Sequence, residues 1–365
     1  MRPEFLPWQV ESARQWLSRG QNLAHAWLFH GLTGIGKRQY GLALAASLLC
    51  EAPRQHLACG QCQACLWVRL GNHPDLMRVR PESQALEEGL YQDPEDLDSS
   101  GSGAGRSASS NSGKPSDLIK VEQIRSIEPW YHRTTHRQGW RVVLLYPAQN
   151  LMLESANSLL KSLEEPPPNT LFLLITDTPD RLLPTILSRC QKVKLETPGT
   201  QQATTWLEAQ GVKDPYQWLC VAGGAPLRAL ALSATQASPC PDWLENLIKQ
   251  LVEQRMPETA GIAEELAKQP SYLWLADLQR LCIDLCLCSA GLNSRYLPGL
   301  EPLIRRVAAL QSLAGWTALQ QWISEQTRLG HHPLNSKLFA QVCLQQIADR
   351  TTATPLPSST QKITT

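Results

Sequence analysis

Apolar and polar positions change their period near residue 197, and the change splits the chain into two kinds of text. Before it, short continuous apolar runs alternate with stretches of helical spacing. Residues 26–30 (AWLFH), 141–146 (RVVLLY) and 170–176 (TLFLLIT) predict buried strands, with a further short strand at 192–196 (KVKLE). Leu42, Ala45, Ala46 and Leu49 recur at i, i+3, i+4 and i+7, the spacing of one helix face. Ala156, Leu159, Leu160 and Leu163 form a second stripe, which the proline run from Pro166 stops. Strands alternating with helices predict a parallel, three-layer α/β domain over residues 1–197. Beyond it the strand signals fade. WLENLIKQLVEQ, YLWLADLQRLCIDLCLCSAG, EPLIRRVAALQSLAGWTALQQWISEQ and LNSKLFAQVCLQQIADR read as amphipathic helices, so the second half is predicted to be mainly α.

Two stretches fit neither period. Residues 82–116 are acidic and then become SSGSGAGRSASSNSGKPS, text too polar to offset the entropy of ordering. They predict a disordered surface insertion within the α/β domain. Residues 351–365 predict a disordered tail. Composition narrows the picture further. With 365 residues, 42% hydrophobic, the chain can bury sizeable cores in two or three domains. A net charge of +1 supplies no global field to gather nucleic acid or an acidic membrane. No run of 18 apolar residues predicts a membrane span, and MRPEFLPWQVESARQ lacks the charged-then-apolar order of a signal peptide. Eleven cysteines, four of them clustered, fit a reducing cytoplasm and a metal site better than a disulfide framework.

The candidate chemistry begins at GLTGIGKRQ, residues 31–39. Strand, glycine-rich loop and helix follow one another there, as a phosphate-binding loop requires. Gly31, Gly34 and Gly36 permit backbone N–H groups to surround phosphate oxygens, and Lys37 would reach the β and γ phosphates. The next position normally carries a hydroxyl that ligates Mg²⁺; here it is Arg38, which has no acceptor and is always cationic. A second magnesium-handling carboxylate is expected at the end of a later strand. RVVLL instead runs into Tyr146, Pro147, Ala148, Gln149 and Asn150, and Glu154 comes too late. Two losses fall on magnesium chemistry while the phosphate loop survives, which argues against hydrolysis by this chain. The bland alternative is a glycine-rich turn unrelated to nucleotide.

Cys50, Cys59, Cys62 and Cys65 form a C-x8-C-x2-C-x2-C array. Such short spacings let four thiolates converge on a tetrahedral Zn²⁺ with no open position, which makes the site structural. The alternative is four unligated thiols in a polar loop, which would oxidise readily. His56 could replace one cysteine but is not needed. Cys282, Cys286 and Cys288 sit in an apolar helix and read as small core residues. Arg189, in LPTILSRCQKVKLE, lies at a domain edge. It is either a structural surface residue or one that enters a neighbour's nucleotide site as an arginine finger.

HAWLFHG, GxxGxGK, the cysteine array, HPDL at 73–76, ANSLLKSLEEPPPNTLFLLIT and LPTILSRC together resemble the bacterial clamp-loader AAA+ family, over about residues 1 to 230. The resemblance implies a RecA-like AAA+ domain over 1–197 carrying the zinc module at 50–65, a helical lid over 198–238 and a helical collar over 239–350. The collar would join the chain to motor subunits (gamma/tau) and a delta subunit in a hetero-pentameric ring. That ring would load a sliding clamp on primer–template DNA, which the chain would meet through the complex. In the family's motor subunits the strand equivalent to RVVLL ends in an acidic pair; Tyr146 and Pro147 depart from it and imply the non-hydrolysing stator branch. In that branch Arg189 would reach the ATP site of the adjacent motor subunit, and the chain would have no ATPase or polymerase activity of its own. Arg38 departs from the hydrolysing P-loop and leaves binding of ATP or ADP open. The lid text GGAPLRAL puts Arg228 one position away from the family's sensor arginine, so it receives no nucleotide role. Two other functions compete with this reading: an active ATPase motor, which needs a magnesium ligand, and a zinc-module DNA-binding protein. The latter is weakened by a cysteine segment with one arginine (Arg54) and no lysine.

Overall fold

The apolar runs of the first half pair into a single parallel sheet. The computed structural model describes residues 3–89, 115–131, 135, 139–253, 257–329 and 335–352. Among these, β1 (Ala26–His30), β2 (Leu76–Val79), β3 (Arg141–Leu145), β4 (Thr170–Thr176) and β5 (Gln191–Lys194) lie in the order β2-β3-β4-β1-β5. Leu28 sits opposite Leu174 on one side and Lys192 on the other, and Leu144 sits opposite Leu173. β2 carries no apolar run: LMRV is short and broken by an arginine. β5 lies one to two residues earlier than KVKLE suggests. The chain divides into two units, Met1–Pro198 and Gly199–Thr365.

In the first unit, helices cover both faces of the sheet, as a parallel sheet requires. Side chains alternate along β1. Trp27 and Phe29 face α1 (Val10–Leu17) and α2 (Lys37–Leu49), where they meet Trp16 and Tyr40 edge-on at centroid distances of 5.3–5.8 Å. Ala26 and Leu28 join the opposite core with Leu159 and Leu163 of α7 (Leu153–Glu164) and Ile186 of α8 (Pro184–Arg189). All seven residues of β4 are buried. Each Leu or Phe in it stabilises by about 1.5–3 kcal/mol on area grounds, an upper bound.

Two expectations are corrected. α2 is not amphipathic: Tyr40 to Ser47 are all buried, because the helix packs on β3 and β4 and also against α1 and α3 (Gln63–Leu70). A single four-residue stripe understated that burial. The first residues of the segment expected to be disordered, from 82 on, are also ordered. Glu82–Glu87 form a helix, α4, whose Ala85 is buried. Glu82 receives Lys120 Nζ at 2.7 Å and the Ser116 N–H at 3.1 Å. Specific ion pairs, invisible to composition, hold this acidic segment against the domain. Residues 90–114, the rest of the expected insertion, lie outside the described residues, as do 353–365 of the expected tail. α5 (Val121–Arg125) and α6 (Ile127–Tyr131) follow and complete the second helical layer.

In the second unit, α9 (Thr200–Ala209), α10 (Pro215–Val221) and α11 (Pro226–Thr235) enclose a small core of Ala203, Leu207, Trp218, Leu219, Ala222 and Ala229. A larger core joins α12 (Asp242–Val252), α13 (Thr259–Leu266), α14 (Ser271–Ser289), α15 (Glu301–Ala308), α16 (Leu313–Leu329) and α17 (Ser336–Thr352) around Trp274 and Trp316. Fully buried Asp284 closes the loop after α14 by accepting the N–H groups of Arg295, Tyr296 and Leu297 and the Ser294 hydroxyl. Among the described residues, no single helix is long and apolar enough to cross a membrane.

Candidate functional site

The glycine-rich loop leaves the C-terminal end of β1, where ligands of parallel sheets ordinarily bind. Gly31 is forced: a Cβ there would lie 2.6 Å from the Leu195 carbonyl oxygen. Gly36 adopts φ 90°, in the left-handed region, and turns the chain into α2. The side chain of Gln9 donates to the carbonyls of Ile35 and Gly36 at 3.1 and 3.0 Å, and the Trp8 indole donates to Ile35 at 3.1 Å. The N-terminal segment therefore fastens the loop from outside the motif.

Lys37 is turned inward. Its ammonium donates to the carbonyls of Gly31 and Leu32 at 2.8 and 2.6 Å and pairs with Asp177 Oδ1 at 2.5 Å, with the side chain only 4% exposed. An ammonium has three N–H donors, and three acceptors engage them. Asp177 follows β4 directly and is fixed there by Gln149, whose amide oxygen accepts the Asp177 N–H at 3.2 Å and the Thr176 hydroxyl at 2.7 Å.

Arg38 and Tyr146, the two departures from magnesium chemistry, converge on one carboxylate. Glu88, just beyond α4, lies 3.4 Å from Arg38 Nη1 and accepts the Tyr146 hydroxyl at 2.8 and 3.0 Å. Arg80 Nε lies 3.0 Å from the same carboxylate, at an angle that makes the contact an ion pair and not a hydrogen bond. The Glu88 side chain is 6% exposed. Burial, with Glu88 adjacent, pushes the Tyr146 phenol well above its usual range, so the hydroxyl remains a donor. A protein guanidinium thus faces a protein carboxylate beside the loop. Sequence reasoning missed Glu88, Arg80 and Asp177. Glu88 stood in text read as disorder, and Asp177 stood outside any motif.

The four cysteines come together at the junction of α2 and α3. Their Sγ atoms all lie within 4.8 Å of one another and could hold a metal ion. Cys50 and Cys62 are 3.8 Å apart, and Cys59 and Cys65 are 4.0 Å apart. A tetrahedral zinc with Zn–S bonds of about 2.3 Å has S···S edges of about 3.8 Å, so the spacing fits. Backbone N–H groups of Cys59, Cys62 and Cys65 point at the sulfurs of Cys50, Cys59 and Cys62 at 3.3, 3.3 and 3.5 Å. The N–H groups of Gln61 and Cys62 pull the Cys59 thiol down to about 6, while burial pushes the Cys50 and Cys65 thiols up. His56 is not in the group. Cys282 and Cys288 are buried in the second unit's core, and burial pushes both thiols up, as expected for packing residues.

Arg189 ends α8, at the surface of the first unit. Nη1 donates to Thr185 O at 2.9 Å and Ser188 Oγ at 3.4 Å; Nη2 donates to Glu164 Oε1 at 2.5 Å. Arg228, in α11, is exposed on the rim of a cavity of about 440 Å³ that Asp277 and Arg280 also line.

A family model described as DNA polymerase III, delta subunit, matches residues 10–199. The chain is 32% identical over 356 residues to the DNA polymerase III subunit delta' of Pseudomonas aeruginosa, a match covering 94% of this chain and 98% of that protein. It is also 32% identical over 211 residues to subunit delta' of Escherichia coli, covering 57% of this chain and 54% of that protein. Subunit tau of Escherichia coli is 30% identical over 192 residues, 53% of this chain and 24% of that protein.

Proposed function

The chain belongs to the delta' family of DNA polymerase III clamp-loader subunits, and on that premise we propose that it is the loader's non-hydrolysing stator. It would sit with gamma/tau and delta subunits in a hetero-pentameric ring that loads a sliding clamp at primer–template junctions, joined through the helices of residues 239–350. It would lend Arg189 to the ATP site of an adjacent motor subunit. One observation carries the reading. The parts that would handle nucleotide are engaged internally: Lys37 by Gly31, Leu32 and Asp177, and both magnesium positions, Arg38 and Tyr146, by Glu88. A phosphate would have to displace a carboxylate from Lys37, and a magnesium ion would meet the guanidinium of Arg38. The same contacts disfavour the motor alternative. The cysteine spacing supports a structural Zn²⁺ held by Cys50, Cys59, Cys62 and Cys65, pinning α3 to the end of α2.

The test is ATP turnover. The purified chain alone should hydrolyse no Mg-ATP, and turnover abolished by Lys37→Ala would overturn the stator reading. In the assembled loader, Arg189→Ala should slow turnover, since a finger of this kind is worth about 10³–10⁵ at its own site. An unchanged rate would remove the finger assignment.

A further inference from the structure

We propose that Glu164 is the positioning residue for Arg189, holding its guanidinium in the orientation from which it enters the neighbouring subunit's phosphate site. The inference rests on the trans-acting reading of Arg189 above. Glu164 is the last residue of α7, whose Leu159 and Leu163 are fully buried and which the prolines from Pro166 prevent from continuing. Arg189 is the last residue of α8, between buried Ile186 and buried Cys190. Leu163, Ile186 and Cys190 belong to one core. Packing beneath the surface therefore fixes the distance between the two helix ends, while the charged groups stand outside it at 33% and 50% exposure.

That placement separates orientation from stability. An ion pair this exposed contributes little to folding. It does remove freedom from a long side chain that has to arrive at a phosphate in one geometry, and such preorganisation helps both docking and the reaction. Of the five N–H groups on the guanidinium, Thr185 O and Ser188 Oγ take two on Nη1 and Glu164 takes one on Nη2. Among the described residues, Nε and one Nη2 hydrogen are left for an incoming anion. The nearby cation Lys161 does not compete for Glu164, because it pairs with Glu128 at 3.2 Å.

The experiment is ATP turnover by the assembled loader containing Glu164→Ala, Glu164→Gln, Arg189→Ala or the Glu164→Ala/Arg189→Ala double variant, with ring assembly checked by size exclusion. Glu164→Ala should lower kcat about three- to tenfold with KM unchanged, the mark of an interaction lost only in the transition state. Glu164→Gln keeps an acceptor oxygen at the same reach and should restore most of the rate. Adding Glu164→Ala to Arg189→Ala should cost nothing more, since the carboxylate acts only through that arginine. A normal rate for Glu164→Ala beside a slow Arg189→Ala would overturn the positioning role and leave the finger standing. A normal rate for Arg189→Ala would overturn both. A further loss in the double variant would show that Glu164 acts by another route, and the proposal would fail.

Discussion

Glu88→Ala tests whether the carboxylate beneath Arg38 and Tyr146 is a structural centre. The substitution removes the counter-ion of Arg80, whose side chain is 11% exposed, and the acceptor of a buried tyrosine hydroxyl. Losing one partner of a buried ion pair costs about 3–5 kcal/mol. The Arg38 contact adds little, about 0–1 kcal/mol, because that guanidinium is one-third exposed and its pairing is screened by solvent. These contributions share one carboxylate and do not add, so a loss of about 3–5 kcal/mol is expected in total. Glu88→Gln keeps an acceptor for Tyr146 but still strips Arg80 of its counter-ion, so it should recover only the hydrogen-bond share, about 0.5–1.5 kcal/mol, of that loss. Urea unfolding, followed by circular dichroism, would read the loss as a lower midpoint at constant slope for the transition of the first unit. Because the chain has two units, that transition is assigned by hydrogen exchange at the amides of β3 and β4. Tyr146→Phe in the Glu88→Ala background should cost less than in the wild type. A loss under about 0.5 kcal/mol, the scale of an ordinary surface change, would refute the buried centre. So would full additivity with Tyr146→Phe.

Gly41→Ala should destabilise by about 1–3 kcal/mol through overpacking, because the added Cβ would stand 2.4 Å from Ile175 Cδ1 and 2.8 Å from Leu144 Cδ1; thermal unfolding reads it. Protein purified without added metal should carry about one zinc per chain by elemental analysis, and Cys59→Ser should lower that content; a metal-free wild type would remove the zinc assignment. Burial raises the Asp277 carboxyl to about 6 despite Arg280 beside it, above the 3.8 of an unperturbed aspartate. The folded state then binds the proton more tightly, so this contribution is complete below pH 3.8 and is lost as the pH rises through about 6. Asp277→Asn should accordingly remove a decline in stability with pH across that window, measured by urea midpoints at several pH values.

The strand–loop–helix unit and the cysteine array were legible because each is local: spacing alone brings their parts together. The sheet was legible wherever a strand is buried on both faces, as in β4, and not at β2, which is short and carries Arg78 within its four residues. The stripe on α2 concealed a helix enclosed on nearly all sides, since period reports a preferred face but not how many neighbours the remaining faces find. The partners of the site were hidden for another reason. Glu88 reaches Tyr146 across 58 residues, and Glu164 reaches Arg189 across 25, so only the folded sheet sets those distances. An acidic stretch reads as solvated text until its cations are known to lie beside it.

In a working phosphate loop the guest arrives from solution, and the loop's state reports how much of that guest is present. Here Lys37 is held by the chain's own Asp177. A tethered occupant has a fixed effective concentration, insensitive to the cell's ratio of ATP to ADP. On the proposed reading, nucleotide would reach Lys37 only by displacing that carboxylate, so the loop between β1 and α2 would fill at a higher nucleotide concentration than an open loop does. In the ring proposed above, such a member would be a position slow to follow the nucleotide that its neighbours bind and cleave.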